Sequence, residues 1–261
     1  MFYRFLFVLF ISFNVWAQDS YIDYASPYHP TINQRGMVVS QNIDSSKIGI
    51  EILDMGGNAI DAAVAVGFSL AVTLPRAGNL GGAGFMLVYL KERDEIVAVD
   101  YLGSSPRNSN IQDLFGVKLP RNYEKADRDI VRYGYKASTV PGTVAGLLEA
   151  HANFGRLPLS SVLKPVIEQA RNGIKVSYDL YMALKSSSQL KRDKESRKIF
   201  FNNGSAVAEN TILKREDLAQ TLEKIAAEGK KGFYEGETAK KIVAAMHNNG
   251  GFISLEDLKS Y

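Results

Sequence analysis

The sequence contains no cysteine, which excludes disulfides, thiolate metal sites and thiol nucleophiles. Histidine is scarce. His29, His151 and His247 share no short spacing of the kind that holds a metal, so no metal site is expected. Charge of one sign is also missing: 31 Lys and Arg stand against 28 Asp and Glu, a formal net charge of +3. So small a surplus gives no electrostatic footprint for nucleic acid. The basic residues are interleaved with acidic ones, as in Lys191-Arg192-Asp193-Lys194-Glu195, which reads as a solvated helix or loop. No apolar stretch reaches the ~20 residues that a membrane-spanning helix needs. There is no internal repeat and no long low-complexity linker.

What is present is a chain of 261 residues, 46% hydrophobic, enough for one large domain or two small ones. Residues 1–17 read as a secretory signal. Arg4 supplies the positive n-region, Phe5 to Phe13 the apolar h-region, and Val15-Trp16-Ala17 a cleavage site. The mature chain, 18–261, is expected to be periplasmic or secreted and free of the membrane once the signal is removed. Its lack of cysteine fits, because an oxidising compartment permits disulfides without requiring them.

Along the mature chain, residues 18–35 carry Pro27 and Pro30 and read as an irregular lead-in. Gly36 to Ser40 is a short apolar run and predicts a strand. Asp44 and Ser45 are candidate caps for a helix bearing Ile48, Ile52 and Met55, which Gly56-Gly57 ends. Asn58 then predicts a second N-cap, with a helix over Ala59–Thr73 that is apolar nearly all round and therefore buried. The glycine-rich stretch Ala77 to Gly84 leads into a strand, Phe85 to Leu90. A polar turn over Lys91–Glu95 and a partner strand, Ile96 to Tyr101, complete a β-hairpin. The glycines lack the P-loop lysine and the strand-to-helix order, so they read as places where backbone passes close to backbone. After a polar stretch to Gly134, a strand is expected over Ala137–Val140. Helices follow from Pro141 to about Phe154, over Leu159–Arg171, and near 177–187, 214–228 and 236–247. Ser254 and Asp257 stand in a capping-box arrangement at the start of one more. The front is mixed α/β and the back largely helical.

Five segments, in order, resemble the N-terminal half of γ-glutamyltranspeptidases (glutathione hydrolases). They are Gly56-Gly57-Asn58-Ala59-Ile60-Asp61-Ala62-Ala63-Val64-Ala65; Gly78-Asn79-Leu80-Gly81-Gly82-Ala83-Gly84-Phe85; Val140-Pro141-Gly142-Thr143-Val144-Ala145-Gly146; Lys231-Gly232-Phe233-Tyr234-Glu235-Gly236; and Asn249-Gly250-Gly251-Phe252-Ile253-Ser254 before Glu256-Asp257-Leu258. The resemblance covers about residues 36–261. It implies an α/β (α+β) N-terminal-nucleophile hydrolase fold, an αββα sandwich of two central sheets between helical layers, incomplete in this chain. It also implies a precursor that cuts itself into a large and a small subunit. The small subunit's new N-terminal threonine attacks a γ-glutamyl amide, with its own α-amine as base. Water or an amino acid then takes the acyl group. The implied substrate is a γ-glutamyl compound such as glutathione, with no metal or organic cofactor.

Two departures shape the expectations. The chain stops in what resembles the middle of the large subunit, so no catalytic residue is assigned within it. Thr31, Thr73, Thr139, Thr143, Thr211, Thr221 and Thr238 read as cap, strand or surface residues. The implied partner is the missing C-terminal region or small subunit. Without it, core faces such as the 59–73 helix would be poorly covered and the isolated chain insoluble or molten. The second departure lies in the family's substrate-binding pattern Asp-x-Arg-Glu-x-Ala-Pro. Here Asp100-Tyr101-Leu102-Gly103-Ser104-Ser105-Pro106 puts Leu102 in the arginine slot and Gly103 in the glutamate slot. A leucine offers none of the charge-assisted bonds with which a guanidinium grips a carboxylate. Arg107 is the substitute candidate, against the alternative of a surface arginine. Besides the transferase reading, two alternatives stand: a related amidase or acylase with a non-glutamyl acyl pocket, and a non-enzymatic remnant or binding module.

Overall fold

Local caps set the first two helices. Helix α1, Ile43–Asp54, is capped by Asn42, whose side-chain oxygen accepts the N–H groups of Asp44 and Ser45. The cap therefore lies two residues earlier than Asp44, the first expected candidate. Asp44 instead occupies the first turn, where it faces Lys47. Helix α2, Ala59–Thr73, starts with a full capping box. Asn58 accepts from the Ile60 and Asp61 N–H groups, and Asp61 accepts from the Asn58 N–H. Asp61 is completely buried and also takes the Arg156 and Leu157 N–H groups, tying α2 to a loop 95 residues away.

The computed structural model describes residues 32–109 and 132–261. The signal at 1–17, the lead-in up to residue 31, His29, Thr31 and the polar stretch over 110–131 lie outside the described residues. Residues 1–37 and 38–261 are separate units. Within the first, the Arg35 N–H donates to the Asn33 side chain.

The expected strand at 36–40 does not form: the stretch is irregular and pairs with no strand among the described residues. Without a neighbour its backbone has no ladder to join. Val38 packs instead over Gly49 of α1, where a Cβ would meet its methyl groups.

The hairpin is as expected. Strands β1, Gly84–Leu90, and β2, Glu95–Tyr101, pair antiparallel with Phe85 opposite Asp100, Leu87 opposite Ala98 and Tyr89 opposite Ile96. The alternate residues, Met86, Val88, Val97 and Val99, face helix α3, Thr143–Phe154. The expected strand over 137–140 is instead a 3₁₀ turn, Tyr135–Ala137, followed by one bridge from Val140 to Ser104.

Helix α4, Leu159–Asn172, packs across α2 and against the later helix over Glu216–Glu228. Next come β3, Ile174–Lys175, and α5, Tyr178–Ser186, then two short helices, α6, Ser188–Arg192, and α7, Lys194–Phe200. Ser187 and Asp193 cap these two, so the mixed-charge run at 191–195 is the solvent-exposed junction of two helix ends. The strands β4, Phe201–Asn202, and β5, Ser205–Ala206, form a small hairpin; β6, Ile212–Leu213, pairs with β3. Helices α8, Glu216–Glu228, α9, Lys231–Tyr234, α10, Gly236–Asn248, and α11, Leu255–Ser260, close the described chain.

Helix α2 lies inside, between α1, α3 and α4, with Phe68, Val64 and Val72 in the core. A hydroxyl chain ties the three elements it touches. Ser69 donates to Gln169 of α4 at 2.7 Å, its oxygen lies 2.8 Å from the Ser45 hydroxyl of α1, and Thr73 stands 2.9 Å from Ser45. Thr73 is therefore neither a cap, a strand nor a surface residue but part of this buried network. The expectation about coverage is corrected: the 59–73 helix is well covered, and the bare apolar surface lies on the hairpin instead. Phe85, Leu87, Tyr89 and Ile96 are 64%, 75%, 60% and 69% exposed, all on the face turned away from α3. The physical reason is that α2 has helical neighbours drawn from within the chain, whereas a sheet needs a second layer on its other face. Among the described residues, no helix is long and apolar enough to cross a membrane.

Candidate functional site

The loop that follows β2 holds both residues singled out as substrate contacts. Leu102 leaves the strand with its N–H bonded to Asp100 Oδ1 at 3.0 Å and its side chain about half exposed. The Tyr261 hydroxyl donates to the Leu102 carbonyl at 2.6 Å. Two residues on, the Ser104 carbonyl accepts the Val140 N–H at 2.8 Å. Arg107 then meets α11: its backbone N–H donates to Asp257 Oδ1 at 3.0 Å and its guanidinium to Glu256 Oε1 at 2.8 Å. Leu102 and Arg107 are thus brought onto one loop, but the arginine charge is already engaged by a carboxylate in the open.

The glycines of the third motif let this loop sit where it does. Tyr101 lies against Gly146 of α3, where an added Cβ would fall inside the tyrosine ring and its Cβ. At Gly142 a Cβ would strike the Tyr101 carbonyl and the Tyr261 hydroxyl. Only hydrogen at these two positions lets β2 approach the start of α3 this closely. Burial pushes the Tyr101 hydroxyl above its ordinary pKa.

Helix α3 has no side-chain cap, so its first N–H groups need other acceptors. The Gly82 carbonyl, from the glycine-rich approach to β1, accepts the N–H groups of Gly142 and Thr143 at 2.9 and 3.1 Å. The Tyr234 hydroxyl accepts the Ala145 N–H at 3.1 Å and donates to the Pro141 carbonyl at 2.7 Å. Burial holds that phenol strongly in its neutral form, a direction that the Ala145 N–H opposes only in part. Tyr234 also stacks on Tyr261, ring centres 5.8 Å apart. Three of the sequence motifs therefore converge on the start of α3: the glycine approach through Gly82, the 231–236 motif through Tyr234, and the 140–146 motif itself.

Asp257 is the keystone of α11. Its Oδ2 accepts from the Ser254 N–H at 2.9 Å and the Ser254 hydroxyl at 2.7 Å, while Oδ1 holds Arg107. Burial alone would raise its pKa. The Arg107 N–H, the Ser254 donors and the arginine charge outweigh that and hold the carboxyl below its ordinary value. Sequence reasoning identified the Ser254–Asp257 box but missed its hold on Arg107, and missed Tyr234 and Tyr261 as anchors. A tyrosine between Gly232 and Gly236, inside a short motif, was the available signal for Tyr234. Among the described residues, no group of three His, Cys, Asp or Glu could hold a metal ion.

The convergence of these motifs is matched by wider similarity. The sequence model of the family described as Gamma-glutamyltranspeptidase matches residues 45–261. The chain belongs to this family. It is 39% identical over 236 residues to the glutathione hydrolase proenzyme of Escherichia coli strain K12, a match covering 90% of this chain and 40% of the relative. It is 34% identical over 242 residues to the acylase ACY 1 proenzyme of a Pseudomonas species, strain V22, covering 92% and 43%. The crystal structure of Helicobacter pylori γ-glutamyltranspeptidase superposes with a TM-score of 0.81 at 37% identity, covering 89% of this chain and 65% of that one. The chain thus spans less than half the length of the two curated relatives. The loop of residues 100–107 carries Leu102 and Arg107, the two positions expected from the sequence to meet substrate.

Proposed function

We propose that the chain is the N-terminal, large-subunit portion of an exported γ-glutamyltransferase or glutathione hydrolase-type enzyme whose threonine nucleophile lies outside these residues. The observation that carries this reading is that the family match runs from residue 45 to residue 261 while the similarity to the Escherichia coli proenzyme, over 90% of this chain, covers only 40% of that relative. The nucleophilic threonine would attack the γ-carbonyl of a γ-glutamyl compound such as glutathione, releasing the amine and leaving an acyl ester for water or an amino acid. The remaining region supplies that threonine and covers the bare face of the β1–β2 hairpin. Residues 1–17 carry the chain out of the cytoplasm, to the periplasm or beyond.

The test is to read the coding sequence past the Tyr261 codon. A segment carrying the threonine and its self-cleavage site is expected, in this frame or in an interrupted one. Finding none there, and no complementing polypeptide, would contradict the reading.

A second reading keeps the family and changes the acyl group. It is favoured by Leu102, which brings no charge to the arginine slot, and by Arg107, whose guanidinium is occupied by Glu256. Here the pocket takes an uncharged acyl chain. The two readings separate in the completed enzyme with Leu102→Arg. Restoring a charged donor worth about 1.5–3 kcal/mol should raise kcat/KM for a γ-glutamyl anilide roughly tenfold or more if the acyl pocket has lost its glutamyl grip. If the wild type cleaves γ-glutamyl amides well and loses this with Arg107→Ala, Arg107 is the substitute and the apolar reading fails.

A further inference from the structure

The sequence contains three Asn-Gly pairs, Asn172-Gly173, Asn203-Gly204 and Asn249-Gly250. Chemically they are equivalent, since each places an unhindered backbone nitrogen next to a side-chain carboxamide. The fold treats them differently. Asn172 is the last residue of α4, and the Gly173 N–H is held by the Gln169 carbonyl at 3.0 Å. Asn249 ends α10. Its side-chain amide donates to the Ala245 carbonyl at 2.8 Å, and the Gly250 N–H points to His247. Asn203 and Gly204 form the two-residue tip between β4 and β5, both with positive φ, at 48° and 79°. Among the described residues, no hydrogen bond holds the Asn203 side chain or the Gly204 N–H, and the space around Gly204 is open.

We propose that Asn203 is a self-modification site, converted to aspartate and isoaspartate through a cyclic imide formed with Gly204. The Gly204 backbone nitrogen, its proton lost to solvent base, attacks Asn203 Cγ. The N–Cγ bond forms, the Cγ–Nδ2 bond breaks, and the amine leaves as ammonia with a proton from water. Water then opens the ring. Cleavage of the new N–Cγ bond gives aspartate, and cleavage at the original main-chain carbonyl gives isoaspartate. The net change is one water consumed and one ammonia released, with no oxidation or reduction.

Two features favour this site. Its nucleophile is unshielded, whereas a hydrogen-bonded N–H must first break free. Each flanking strand has only two residues, so the tip can open without disturbing the core. Attack requires Asn203 to rotate out of the turn, and that opening sets the rate.

The experiment is peptide mapping by mass spectrometry after incubating the full chain in mildly alkaline buffer, beside a parallel sample in concentrated urea. In the folded chain, the Asn203 peptide should convert first, to a pair of products with the mass gain of an amide-to-acid exchange. In urea the three sites should converge in rate. Asn203→Gln keeps a carboxamide but disfavours the five-membered ring, so conversion at that position should be lost while the other two sites are unchanged. Faster conversion of Asn172 or Asn249 in the folded chain would overturn the proposal. So would an Asn203 that converts in urea but stays intact when folded.

Discussion

The bare face of the β1–β2 hairpin should govern how the isolated chain behaves in solution. Phe85, Leu87, Tyr89 and Ile96 together present roughly 500 Å² of side-chain surface, from their fractional exposures and typical areas for such residues. That is near the upper end of the largest apolar patch on an ordinary monomer, about 300–600 Å². Covering it completely would contribute about 12 kcal/mol before the costs of association, at ~25 cal/mol per Å². Replacing Leu87 with Lys and Ile96 with Glu should remove much of the drive to self-associate. The two positions lie on the exposed face, one pair apart, and contribute little to the core, so the expected cost to folding is within about 1 kcal/mol. Dye binding to apolar surface and sedimentation velocity over a concentration series are the assays. The wild type should bind dye and associate, and the double variant should do both much less while keeping its helical circular dichroism. A wild type that sediments as a single monomer at all concentrations and binds no dye would refute the reasoning.

Other expectations follow from the site. Asp257→Ala removes a helix cap and the acceptor for Arg107, and should cost about 2–3 kcal/mol, read as a lower urea midpoint. Its pH dependence has a definite sign. Because folding lowers this pKa, the wild type's advantage over the variant is present above the unfolded value, near pH 4, and is lost as pH falls through the lower folded value. An advantage that grew on acidification would contradict the assignment. Gly146→Ala places a methyl inside the Tyr101 ring and should cost about 1–3 kcal/mol by displacing β2 from α3, measured by the same denaturation. A Gly146→Ala chain as stable as the wild type would show that the contact yields freely.

Elements specified by neighbouring residues could be read from the sequence; those specified across it could not. Helix α2 was legible to the residue, because Asn58, Asp61 and an unbroken apolar run all act within one element. The hairpin was legible for the same reason, two alternating runs about a polar turn. The strand expected at 36–40 failed because pairing depends on a distant neighbour, and propensity does not supply one. Helices α6 and α7 and the strands between 201 and 213 are too short for any periodicity to show. In the site, resemblance picked out Leu102 and Arg107, but their supports reach across the chain. Tyr261 meets Leu102 from 159 residues away, and Asp257 meets Arg107 from 150. Nothing in local spacing encodes such contacts.

The proposed placement of the threonine nucleophile outside these residues is tested by a hydrolysis assay of a γ-glutamyl anilide with the purified 261-residue chain alone. No turnover above buffer is expected. Sustained turnover that copurifies with the chain would contradict the claim and place a nucleophile within these residues.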